Sequence, residues 1–356
     1  MGAVMTMRWA MVKVFVGIGL CLTLAACGTG SSSSTRAAAA NQHSAKVTTV
    51  RVIYQPSGLS SYFYANAKNL WAKYGLKVQP ISIEAGQNEL APLVAGSADF
   101  AFMGGPPTIT AIAKKLPVRV IFSTNDVSHL EGLVVTAKSG ITRLGQISGA
   151  RIAVPTGSSA WAGMHLALAK AGIPFSSVRT VNLQPSAALS AFEAGSIQGA
   201  WIWDTWIERM KSLGGHVVAL EHSYGVAEPN SWVVSDSFLA SHPGAVKKFL
   251  AVLNAGANGA NTDPSVAAPE YSSLTGVTVS EAIAIMKTEP TFSFATALSQ
   301  TGPLSFSNPT TGFADTLYRS GQVLASAGII PAAPSVSEIA NAIDTKVVQE
   351  ANSRYG

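Results

Sequence analysis

Only two cysteines occur in 356 residues, Cys21 and Cys27. Cys21 lies inside an N-terminal stretch with the plan of an export signal: Arg8 and Lys13, the apolar run Val14–Leu24, then Ala25-Ala26. Once that stretch is removed, the folded body has no disulfide pair, no thiol nucleophile and no cysteine-based zinc site. Its stability must come from a buried core, and roughly 310 residues suffice for one large or two medium domains. Charge is equally scarce: 12% of residues are charged, against about 25% in ordinary globular chains. Losing Arg8 and Lys13 lowers the formal net charge from +5 to +3. The other basic residues are scattered, with Lys114-Lys115 and Lys247-Lys248 only as pairs, so the basic stripe that a nucleic acid needs is missing. Beyond the N-terminal stretch, no apolar run approaches the ~20 residues of a membrane span. His129, His165, His216, His222 and His242 lack metal-ligand spacing, and none stands beside a nucleophile motif. Gly104-Gly105 is too short for a nucleotide fingerprint. Neither catalysis nor a metal or cofactor is expected.

What is present is a repeat. Pro56-Ser57-Gly58 returns 99 residues later as Pro155-Thr156-Gly157, and Ala95-Gly96-Ser97 returns at the same offset as Ala194-Gly195-Ser196. Each first phrase follows a strand-like run, Val50–Tyr54 or Arg151–Val154. Each second phrase precedes another, Phe100–Met103 or Ala200–Trp203. Further strands are expected at 76–83, 118–123, 133–137, 178–182, 217–220 and 232–235. They are short, rich in Val and Ile, and separated by helical patterns, which points to parallel α/β sheets. Helices are expected over Tyr62–Tyr74, stopped by Gly75, and over Trp161–Ala171, opened by Ser158-Ser159. After Ser237 the pattern is almost wholly helical, at 243–254, 280–287, 311–327 and 336–349. The resulting α/β reading has a signal at 1–26, a flexible low-complexity tether at 27–46 and two lobes. Residues 47–136 and the mostly helical 226–356 form one lobe, and 137–225 form the other.

Four loops fall at the carboxyl ends of expected strands, where open α/β sheets present ligand sites. They are Gln55-Pro56-Ser57-Gly58, Gly104-Gly105-Pro106-Pro107-Thr108, Pro155-Thr156-Gly157-Ser158-Ser159 and Trp203-Asp204-Thr205-Trp206. Three of them combine small residues, proline and hydroxyls just before a helix. A helix start carries free N–H groups and partial positive charge, so such loops hold a compact anion without arginine. Ser57, Thr156, Ser158 and Ser159 would add hydroxyl donors; each is also an ordinary N-cap residue, and both roles stay open. Asp204, set between Trp203 and Trp206 after an apolar strand, needs a partner. It either meets a ligand ammonium or caps the following helix. Glu131 is a second candidate for the cation, and Asn230 and Trp232 approach from the last strand. Trp201, Trp203 and Trp206 are core residues or pocket lining.

The N-terminal Leu24-Ala25-Ala26-Cys27 resembles a bacterial lipoprotein signal, which implies cleavage before Cys27 and lipid attachment there. The body resembles solute-binding proteins of ABC importers in the nitrate/sulfonate/taurine group, most closely the taurine branch. The residues that carry the likeness are Arg151–Pro155, Val181–Pro185, Phe192–Ala200 and Trp203, then Trp232-Val233-Val234, Phe238, His242-Pro243 and Thr301-Gly302-Pro303. Pro106-Pro107 and Trp206 are unusual for that branch, and Asp204 stands at a position that varies in the family. The resemblance implies a two-lobed, type II periplasmic-binding-protein fold with a cleft that closes by a hinge. It implies taurine or a related small sulfonate as ligand, held by Gln55, Ser57, Gly105, Glu131, Thr156, Ser158, Ser159, Trp203, Asp204 and Asn230. It implies delivery to a permease with its ATPase, from a lipid-anchored extracytoplasmic position, without catalysis or cofactor. Three alternatives are an alkanesulfonate or nitrate carrier, an enzyme like the thiamine pyrimidine-precursor synthases, and a structural or adhesive surface lipoprotein, against which the paired cleft loops argue. The second needs a cysteine cluster that this body lacks.

Overall fold

The computed structural model describes residues 47–299, 301, 302 and 304–356. The expected signal (1–26), Cys27 and the tether (27–46) lie outside the described residues, as does Pro303. Ten strands are present: β1 (Thr48–Tyr54), β2 (Leu76–Ser82), β3 (Phe100–Gly104), β4 (Val118–Asp126), β5 (Glu131–Val135), β6 (Arg151–Ala153), β7 (Arg179–Val181), β8 (Gly199–Trp203), β9 (His216–Leu220) and β10 (Pro229–Ser235). They form two five-stranded sheets, β2-β1-β3-β10-β4 and β7-β6-β8-β5-β9, within the unit Ala45–Gly356. Strands β3 and β8 are buried at every position. Their continuous Phe, Met, Ile and Trp are what a strand covered on both faces requires. Among the described residues no helix is long and apolar enough to cross a membrane.

The two sheets share one plan. In each, three strands pair in parallel, β2-β1-β3 and β7-β6-β8. The chain then supplies an antiparallel strand on arriving from the other sheet. Strand β5 enters the second sheet with Leu133 opposite Trp201 of β8. Strand β10 returns to the first with Trp232 opposite Phe102 of β3. Strands β3 and β8 start 99 residues apart and occupy equivalent places, so the sequence repeat is a repeat of architecture.

Four expectations are corrected. The sheets are mixed, because β5 and β10 run antiparallel. The apolar run around Leu133 belongs to the second sheet, so the chain crosses before Glu131 and not after 136; which sheet a short apolar strand joins is decided by pairing, not by its own pattern. The helix expected over Tyr62–Tyr74 is two, Ser60–Ala67 and Leu70–Lys73, broken where Asn69 takes a left-handed φ of 52°. Asparagine tolerates that region better than most residues. The helix expected over 336–349 is also two, Val336–Asn341 and Thr345–Tyr355. Between them Ile343 bridges to Val120 of β4, and the Asp344 side chain accepts the Val347 N–H to start the second.

The long helix Pro243–Thr262 lies against Ser60–Ala67, and Gly256 permits the approach. A Cβ on Gly256 would stand 2.1 Å from the Ser61 carbonyl oxygen. From the same helix Phe249 stacks on Phe100 at 4.0 Å and meets the edge of Trp232 at 5.0 Å. Phe249 is wholly buried, so Phe249→Ala should cost about 3–5 kcal/mol of stability in urea unfolding. A loss below about 1 kcal/mol would show that this aromatic cluster does not anchor the first sheet.

Candidate functional site

Each of the four loops leaves the carboxyl end of a parallel strand, after β1, β3, β6 and β8, and the order reversal beside β1 and β6 opens a crevice there. The loops converge between the two sheets on a cavity of about 20 Å³. From the first sheet's side Gln55, Ser57, Phe102, Gly104, Pro107 and Asn230 line it. Ser158, Ser159 and Trp203 face them from the second, with Val127 from the crossing between. Helices begin at Gly105, Ser159 and Asp204 around this space; Pro106 and Pro107 bring no N–H groups to the first, the Asp204 and Thr205 N–H groups of the third bond to the Leu130 carbonyl and the Asp204 carboxylate, and the helix at Ser159 presents its first N–H groups unpaired among the described residues. The cavity holds about one water, and a sulfonate group enters only when the loops part.

Asp204 is the link across the crevice. Its carboxylate accepts the Ser57 hydroxyl at 2.9 and 3.0 Å, the Gly58 N–H at 3.3 Å and the Tyr271 hydroxyl at 3.0 Å. The Thr205 N–H bonds to it from its own helix. Burial raises the Asp204 carboxyl above its ordinary range, and these donors oppose that rise. Of the two roles open for Asp204, neither describes it fully: it engages its own helix start and also clasps the first sheet's loop and the helix Ala268–Thr275.

Glu131 is different. Its Oε1 accepts the Ser159 hydroxyl at 2.8 Å, and its fully buried Oε2 has no hydrogen-bond partner among the described residues. It lies behind the cavity wall, opposite Trp203 in the β5–β8 ladder. Burial, reinforced by the charge of Glu228, raises its carboxyl well above the usual range. Three more buried carboxyls accompany it near the crossings: Glu221 takes the Trp201 indole N–H at 2.8 Å, Glu228 the Ser320 hydroxyl at 2.9 Å, and Glu289 the Asn125 amide at 3.4 Å. All three are raised chiefly by burial.

The other expected residues divide. Gln55 lines the cavity while its amide donates to the buried Glu89. Ser158 is an N-cap, accepting the Trp161 N–H at 3.2 Å and donating to the Pro155 carbonyl. Asn230 and Trp203 line the space. Thr156 is exposed, its N–H held by Asn182 at 3.0 Å, and does not line the cavity. Gly105 faces away, and a Cβ there would meet Glu228 at 2.9 Å. Trp201 is core, and Trp206 is half-buried beneath the Arg209 guanidinium at 4.8 Å. Tyr271, Glu221, Glu228 and Glu289 were not anticipated. A tyrosine within a helix carries no sequence signal for what its hydroxyl will meet.

A family model described as NMT1/THI5 like matches residues 57–267. The taurine-binding periplasmic protein of Escherichia coli (strain K12) is 30% identical over 58% of this chain and 64% of its own length. A Bacillus subtilis (strain 168) protein named for binding aliphatic sulfonates is 29% identical over 61% of this chain and 67% of its own. The match thus spans about two thirds of the length of these relatives. Among solved structures, the alkanesulfonate-binding protein SsuA from Xanthomonas axonopodis pv. citri, bound to MOPS, superposes with a TM-score of 0.69 at 20% identity. That superposition covers 84% of this chain and 99% of SsuA. At that identity the likeness shows the two-sheet periplasmic-binding-protein fold.

The buried carboxyls set a pH dependence. Burial pushes Glu228 up to about 8, so the native state keeps a proton that the unfolded chain releases above its ordinary carboxyl range. Its stabilising effect is complete below about pH 4.5 and is lost as pH rises to about 8. The urea midpoint should therefore fall between pH 5 and 8, and fall less in Glu228→Gln. A flat profile, or an unaltered slope in the variant, would contradict this.

Proposed function

We propose that this chain, which belongs to the NMT1/THI5-like family, is the extracytoplasmic solute-binding component of an ABC importer and carries a small sulfonate between its two sheets. The observation that carries this reading is the convergence of four strand-end loops, two from each sheet, on one cavity. The helix start at Ser159 would supply N–H groups and partial positive charge to an anion there, and the Ser57 and Ser159 hydroxyls, which donate to Asp204 and Glu131, would turn to it on binding. The ligands for which the relatives are named, taurine and aliphatic sulfonates, have that chemistry.

We place one lobe on the first sheet with the helical C-terminal part, and the other on the second sheet. The crossings at 127–130 and 221–228 would serve as the hinge. Opening would release Ser57 from Asp204, and closure on a ligand would remake or replace that contact. At the N-terminus, the signal reading gives export and lipid attachment at Cys27, which would hold the protein beside its permease and ATPase.

Among sulfonates, taurine is supported by Glu131. A zwitterion needs a carboxylate as well as anion donors: Asp204 is saturated by protein donors, whereas Glu131 Oε2 has no partner among the described residues and would meet the ammonium on giving up the proton that burial favours there. That same saturation favours a second reading, an alkanesulfonate without an amine. Calorimetric titration of the untagged protein with taurine, ethanesulfonate and nitrate separates them. Taurine should bind at least tenfold tighter than ethanesulfonate, and Glu131→Gln should remove that preference while leaving ethanesulfonate unchanged. Equal affinities in the wild type would support the alkanesulfonate reading, and no binding of any of the three would overturn the sulfonate assignment.

A further inference from the structure

The chain changes sheet twice, and three metal-ligating side chains meet where it does so. Asp126 ends β4, and His129 closes the single 3₁₀ turn Val127–His129 that leads to the second sheet. His222 stands in the returning turn Glu221–Tyr224. Ligand atoms of Asp126, His129 and His222 all lie within 4.8 Å of one another. The two imidazoles stack with centroids 3.7 Å apart and planes inclined by 26°.

This geometry is close to a coordination shell. With nitrogen and oxygen ligands at about 2.0–2.2 Å in a tetrahedron, ligand atoms sit roughly 3.3–3.6 Å apart. Because imidazole lone pairs lie in the ring planes, one ring must swing out of the stack for both nitrogens to face a common ion. The carboxylate is already oriented: Asp126 Oδ1 accepts the N–H groups of Ser128 and Glu228, both at 3.1 Å. Its Oδ2 has no hydrogen-bond partner among the described residues, and neither has any ring nitrogen of the two histidines. Such outer hydrogen bonds are what fix a ligating carboxylate. Asp126 and His129 are half-buried and His222 is exposed, so the group is reachable from solvent.

We propose that Asp126, His129 and His222 form a site for a divalent transition metal, zinc in type, that ties the two crossings together. Two imidazoles and a carboxylate suit zinc better than magnesium or calcium, and three protein ligands leave a fourth position for water. The metal would join segments that must move relative to each other when the sheets separate. An ion that fits one hinge angle better than another shifts the open–closed balance, and solute and metal then alter each other's affinity by the same factor. The site stands on these residues alone and does not depend on which solute occupies the cleft.

The test is calorimetric titration of the untagged, chelator-treated protein with Zn²⁺, repeated with Co²⁺ while recording the visible d–d absorption. One saturable site is expected, weakened at least tenfold in His129→Ala and in His222→Ala but unchanged in His242→Ala, a histidine elsewhere on the surface. All three variants should keep the wild-type thermal midpoint in chelator, which separates loss of a ligand from loss of fold. Absence of saturable binding, or binding that persists in both His129→Ala and His222→Ala, would overturn the proposal.

Discussion

The arrangement of the cleft depends on one buried carboxylate. Asp204 begins a helix on the second sheet and accepts hydrogen bonds from Ser57 and Gly58 on the first and from Tyr271 in the C-terminal helical part. A group with two oxygens and several lone pairs can collect donors from three directions at once, which no amide or hydroxyl of similar size does. Its burial is costly, and the donors offset that cost only while all are in place. The contact therefore ties the loops of the two sheets to one another through a single side chain.

The second constraint is the set of buried carboxyls around the crossings. Glu131, Glu221, Glu228 and Glu289 are enclosed without a cationic partner among the described residues. Burial favours their protonated forms, and each makes a hydrogen bond to a hydroxyl, indole or amide in place of a salt bridge. Space is reserved for them: a Cβ on Gly163 would overlap the Glu221 carboxyl at 2.0 Å, and one on Gly105 would crowd Glu228. A glycine at these positions is a packing requirement, not a turn signal. The region where the chain changes sheet is thus polar inside and tightly filled, so motion there must rearrange whole hydrogen-bonded groups.

Much of this was legible in the sequence. Most strands announced themselves as short apolar runs, and the offset shared by Pro56-Ser57-Gly58 and Pro155-Thr156-Gly157 located the equivalent loops of two equivalent sheets. The loop residues Gln55, Ser57, Ser158, Ser159, Trp203 and Asn230 do gather at one cavity, because strand ends of an α/β sheet share an edge. What could not be read depends on distance in three dimensions. Thr156 resembles Ser57 in its local phrase, yet it turns outward to Asn182 while Ser57 turns in to Asp204. The run around Leu133 announces a strand and not its sheet. His129 and His222 have no ligand spacing along the chain and meet only because both crossings pass the same place. Asn69 breaks a helix whose apolar pattern runs straight through it.

The claim at the centre is that the Asp204 contact holds two bodies closed over a sulfonate site. Small-angle X-ray scattering of the wild type and Asp204→Ala, each with and without saturating taurine, addresses it directly. The account predicts a larger radius of gyration for Asp204→Ala than for the wild type without taurine, and contraction of the wild type when taurine is added. Superimposable curves from both proteins in both conditions would contradict it, since the cleft would then neither open nor depend on the clasp.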